Sequence, residues 1–138
     1  MEALPSLPFR IAGHHLVHEG GVTVSAAYQL HGLLRVEGGD LVIDTRWVGH
    51  EGASEVETHR VPVADVSEVE YRSGMFRTRL VLRPRRLAAF EDVPSASPES
   101  LVLPIARADR ALASRWATTL SLALLDRDGF DDDLASRP

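Results

Sequence analysis

From Thr23 onward the apolar positions recur at intervals of two, the period of a strand with one buried face. In YQLHGLLRVEGGDLVIDTRWV, Leu34 and Val36 precede Gly38-Gly39, and Leu41, Ile43 and Trp47 follow, with Asp44 and Arg46 turned the other way. Glycine pairs reach positive φ at no steric cost, which tight antiparallel turns demand, so this segment predicts a hairpin. The polar stretch GHEGASEVE, with its two glycines, predicts a loop. THRVPVADV sets Val61 and Val63 on one face, and Pro62, which cannot donate to a ladder, marks a strand edge or strand start. The phase shifts between Val66 and Val69, as at a bulge. MFRTRLVLRP then alternates, with Phe76, Thr78, Leu80 and Leu82 inward and Arg77, Arg79 and Arg83 outward. RRLAAF and SLVLPIA predict two further short strands, giving seven in all.

The period changes at the end of the chain. After Asp109, an N-cap candidate, Leu112, Trp116, Leu120 and Leu124 recur every fourth position, and Ala113, Ala117 and Ala123 widen the stripe. The spacing predicts an amphipathic helix that stops before Gly129. The remainder divides into a leader or extra strand over 1–22, a domain over 23–126 and an acidic, fraying tail over 127–138.

Composition narrows the chemistry. A chain of 138 residues with 44% hydrophobic content supports one domain with one core. Its longest apolar runs are far shorter than the ~20 residues of a membrane span, and its N-terminus has no apolar signal region, which together predict a soluble, cytoplasmic protein. Cysteine is absent and all 15 basic residues are arginine, which removes disulfides, thiolate chemistry and lysine Schiff bases. A net charge of −5 argues against nucleic-acid binding.

The strand-turn-strand segment VPVADVSEVEYRSG, its spacing into RTRLVLRP and SLVLPIA, and Trp116 in the last helix together resemble the bacterial pleckstrin-homology-like and GRAM-like domains over roughly residues 23–126. The resemblance implies a mainly β fold, a seven-stranded bent antiparallel sandwich or barrel capped by one C-terminal helix. It also implies a non-enzymatic binding module. Family members that hold phosphoinositides place basic residues around the first hairpin; here Glu37 and Asp40 flank that turn, with only Arg35 and Arg46 nearby, which argues against inositol-lipid binding.

Three histidines, His14, His15 and His18, lie within five positions and invite a metal reading. In an extended strand His14 and His18 stand ~13 Å apart and His15 faces away, so one ion cannot be held by two of them. Val22 stands where an HExxH motif needs histidine, and Gly129 follows the second aspartate of DRDGFDDD too closely for an EF-hand loop. No GxSxG, GK[ST] or GxGxxG motif is present. No catalytic, cofactor or metal residue is therefore expected. The densest basic cluster remains: Arg77, Arg79 and Arg83 could clamp phosphate or a partner's carboxylates, or simply pair with Glu68 and Glu70 of the neighbouring strand.

Two functions follow as expectations. The first is a protein-protein or self-associating module, with a strand edge or the GHEGASEVE loop as the contact. The second is a lipocalin-like barrel holding a small apolar ligand. The set Leu34, Ile43, Trp47, Phe76, Leu82 and Trp116, if inward, would fill a small barrel and favours the first.

Overall fold

The computed structural model describes the backbone of residues 4–49, 52–94 and 96–136, and the side chains of all of these except 14–17, 19, 24–25 and 126–136. Strands β1 (Leu7–Glu19), β2 (Val22–Glu37), β3 (Asp40–Gly49), β4 (Gly52–Ala53) and β5 (Glu57–Pro62) form one antiparallel sheet, in which β2 and β5 both pair with β3. A 3-10 turn over Val63–Asp65 leads into the second sheet, β6 (Val66–Ser73), β7 (Thr78–Pro84) and β8 (Leu101–Ile105). Helix α1 (Arg110–Ser136) follows and packs on β6 and β7. The architecture is mainly β with one C-terminal helix, a two-sheet sandwich that is not closed into a barrel.

The β2–β3 hairpin forms where the pattern placed it. Gly38 and Gly39 sit at φ 57° and 86°, and Glu37 pairs directly with Asp40. The phase shift after Val66 is a register irregularity between Val66 and Glu68. Pro62 ends β5, an outer strand of its sheet, where a missing donor is tolerated. Between the sheets lie Leu7, Phe9, Leu34, Ile43, Leu80 and Leu82, all at most 2% exposed. Over them α1 lays Trp116, wholly buried, with Leu120 and Leu124. The Trp116 indole N–H donates to the Pro5 carbonyl at 2.8 Å, tying the N-terminal segment to the helix.

Several expectations are corrected. Of the two alternatives for residues 1–22, the extra strand is the one formed: Leu7 and Phe9 are core residues of β1, which pairs with β2 along its whole length. Two glycines explain why this pairing escapes the alternation rule. Gly32 faces Phe9 and Gly13 faces Tyr28 across the ladder, so each aromatic ring lies over a missing side chain. RRLAAF is a series of turns, with Ala89 N–H bonded to the Arg86 carbonyl and Val93 N–H to that of Phe90. It sends Phe90 and Val93 into the core while Leu87 stays exposed. Phe76 does not point inward, because β7 begins at Thr78 and leaves Phe76 in the preceding turn, 91% exposed. Trp47 is only half-buried and meets Tyr28 edge to face with centroids 4.7 Å apart. Asp109 closes a 3-10 turn just before α1, and the helix runs through Gly129 to Ser136. A single interior glycine costs a helix only about 1 kcal/mol relative to alanine, too little to force an end.

Candidate functional site

Two surfaces carry clustered charge, and they differ in whether the charge is paired. On the outer face of the first sheet, Arg35, Val42 and Arg60 stand side by side across β2, β3 and β5. Arg35 bonds Asp44 at 3.1 Å and also Glu37; Arg60 reaches Glu37 at 3.2 Å and Asp40 at 3.8 Å. The Thr58 hydroxyl donates to Asp44 at 2.7 Å. The Arg60 hydrogen bond, seconded by Arg35, holds the Glu37 carboxyl below its ordinary range. Burial pushes the Asp44 carboxyl up, but the Thr58 hydroxyl and the Arg35 guanidinium outweigh it and leave it lowered. Glu37 and Asp40 thus occupy Arg35 and Arg60 beside the β2–β3 turn. Val42, flanked by both arginine stems, is fully buried even though it faces outward.

On the second sheet Arg83 bonds Glu70 at 3.3 Å and Glu68 at 3.6 Å, while Arg72 bonds Glu70 at 3.0 Å and holds its carboxyl low. Of the three arginines that alternation set on one face, Arg83 is therefore absorbed by the neighbouring strand. Arg77 and Arg79 are not. They open instead onto a cleft of about 600 Å³, where Arg10 of β1, Arg107 and Arg110 join them. Among the described residues none of these five arginines makes an ion pair or a side-chain hydrogen bond.

The topology explains why the cleft exists. It lies where β1 runs beside β8 without ladder hydrogen bonds, the open seam between the sheets. Pro104 of β8 pairs opposite Arg79 of β7 and has no N–H to offer a further strand. The β6–β7 turn overhangs the seam, fastened by the Gly74 N–H to the Arg77 carbonyl at 2.8 Å, and it presents Met75 and Phe76 at 88% and 91% exposure. The first turn of α1 supplies Arg110, next to Arg107 of the 3-10 turn. Unpaired guanidinium groups beside two exposed apolar side chains suit an anionic ligand with an apolar part, since each fork can hold a carboxylate or phosphate bidentately.

Sequence reasoning found Arg77 and Arg79 but missed Arg10, Arg107 and Arg110, which only the fold brings near. The signal within reach was the acid count: Glu68 and Glu70 lie opposite Arg83 and Val81, whereas Arg79 faces Arg72, so no acid stands across from it. A second cleft, about 400 Å³ between Leu87 and Pro98, holds one ionisable side chain, Glu91. Among the histidines, His18 shares a 2.9 Å hydrogen bond with Thr23, and His59 lies 3.4 Å from Thr45. The side chains of His14 and His15, and the whole of His50, lie outside the described residues. Among the described residues no three His, Asp or Glu side chains come together as metal ligands, and no helix is long and apolar enough to cross a membrane.

No protein family, curated protein or solved structure matches this chain.

Proposed function

We propose that the chain is a non-enzymatic interaction module, pleckstrin-homology-like and of bacterial type, that works in the cytoplasm by gripping an acidic, partly apolar protein segment in the arginine cleft. One observation carries this reading. Five arginines line a single seam that no acid among the described residues lines, next to Met75 and Phe76, in a chain whose net charge is −5. Like charges held together at a surface cost stability, and such costs are met at places selected for binding.

The magnitudes suit a reversible contact. Each exposed ion pair contributes about 0.2–1 kcal/mol, and burying Met75 or Phe76 about 1.5–3 kcal/mol. The sum is comparable to the cost of association, so a lone segment binds weakly and a partner offering two contacts binds much better. The ligand-holding barrel draws no comparable support, because the space between the sheets is filled by Phe9, Leu80, Leu82, Phe90 and Trp116.

Fluorescence anisotropy with a labelled peptide of alternating glutamate and phenylalanine tests the reading. Binding should weaken steeply with salt and be lost in Arg77→Glu/Arg79→Glu, while Arg83→Ala binds as the parent does. Equal binding by the first variant would refute it.

A further inference from the structure

The cleft's occupant is also written into this chain. Helix α1 has its last described buried side chain at Leu124, then continues to Ser136, about 18 Å farther at 1.5 Å per residue. That extension has the sequence LDRDGFDDDLAS, with five aspartates at 126, 128, 131, 132 and 133, and is preceded by Leu122, 58% exposed; Leu125, its first residue, is 67% exposed. Acidic and apolar residues adjoin there in the sequence, the complement of the arginines and of Met75 and Phe76. The two ends of α1 lie about 40 Å apart along the helix axis, so a continuous helix cannot bring its own acidic end into the cleft at its own start.

The helix dipole points the same way. A helix favours acids at its start and bases at its end. Here Arg107 and Arg110 stand at the start, and the last turn carries no base. The acidic end bears charge of the unfavourable sign, while at the start Asp109 stands between the two arginines. Setting the acidic end of one helix against the arginine-bearing start of another relieves the mismatch at the acidic end.

We propose that the acidic C-terminal helix of one copy docks in the arginine cleft of a second copy, and that two copies do so reciprocally. This rests on the reading of the cleft as a binding site for acidic segments. Reciprocity follows from multivalency: a closed pair makes two weak contacts for one loss of translational freedom. An anionic membrane offers similar chemistry, but the net charge of −5 opposes approach of the chain to it overall.

The test uses the full chain with two charge reversals, Arg77→Glu/Arg79→Glu and Asp131→Arg/Asp132→Arg/Asp133→Arg, examined by sedimentation equilibrium. The parent should dimerise, with a Kd that rises at least about tenfold when salt is raised from ~0.05 to ~0.5 M. Each variant alone should be monomeric over the same range, and an equimolar mixture should dimerise again, because each then carries what the other lacks. Circular dichroism confirms that both variants are folded, and conservative versions, Arg→Gln and Asp→Asn, replace any that is not. A monomeric parent that still binds the glutamate-phenylalanine peptide through Arg77 and Arg79 would overturn self-docking and leave the cleft reading intact. A monomeric parent that binds phosphatidylserine but not phosphatidylcholine vesicles, and binds no peptide, would overturn both and make a membrane the occupant. A dimer indifferent to both reversals would overturn the proposal, and a parent that neither dimerises nor binds the peptide would overturn both.

Discussion

At the scale of single residues, the two glycines beneath aromatic rings separate tight packing from mere proximity. A Cβ built on Gly32 would overlap the Phe9 ring, and one on Gly13 would overlap the end of the Tyr28 ring. Phe9 is 2% exposed and walled in by the core, whereas Tyr28 is half-buried and is met at the outer end of its ring. Gly32→Ala should therefore cost about 1–3 kcal/mol, the usual range for overpacking, and Gly13→Ala distinctly less, both read by urea denaturation. Pairing Gly32→Ala with Phe9→Leu should cost less than the two single changes summed, since the smaller side chain vacates the contested volume. Additive losses would mean that the ring and the glycine do not share that space.

Elements were legible in the sequence to the extent that a period was kept for several residues with one face buried. The β2–β3 hairpin and the Leu112–Leu124 stripe of α1 meet that condition, and both formed as read. Strand β1 does not: its buried Leu7 and Phe9 give way to a segment where glycine, histidine and small residues interrupt the pattern. RRLAAF failed for the opposite reason, an apolar run without alternation, in which only Phe90 is buried deeply. The cleft was half legible, since Arg77 and Arg79 share a strand neighbourhood but Arg10 and Arg107 reach it from 67 and 28 residues away in the chain. Beyond the Tyr28–Gly49 pair, the distal half of the β1–β2 hairpin loses β3 as a neighbour and continues as two strands. Isolated two-stranded ribbons are marginal in water. Amides of 14–18 and 23–27 should thus exchange hydrogen much faster than those of 30–34, as mass spectrometry would read segment by segment. Equal protection along the hairpin would show that something else covers the ribbon.

For the molecule as a whole, paired and unpaired charges predict opposite responses. Glu37, Asp44 and Glu70 are carboxyls whose acidity is raised by folding. Their contribution to stability is fully present above the unfolded-state values near 4 and is lost as pH falls through and below them, so denaturation midpoints should drop between about pH 5 and pH 2. Asp44→Asn together with Glu37→Gln should flatten that slope. The cleft arginines behave in the reverse sense, since Arg10, Arg77, Arg79, Arg107 and Arg110 repel one another and make no ion pair in the described part of the isolated chain. Under conditions where the chain is monomeric, Arg79→Gln should leave the thermal midpoint unchanged or raise it, most at low salt, with the gain vanishing as the Debye length shrinks. Arg83→Gln should lower the midpoint instead, because it abandons Glu68 and Glu70. Calorimetry of the two variants at low and high ionic strength distinguishes a surface built for holding something from one built for holding the fold. A midpoint that falls in both would place Arg79 with the structural charges and remove the cleft's claim to be a site.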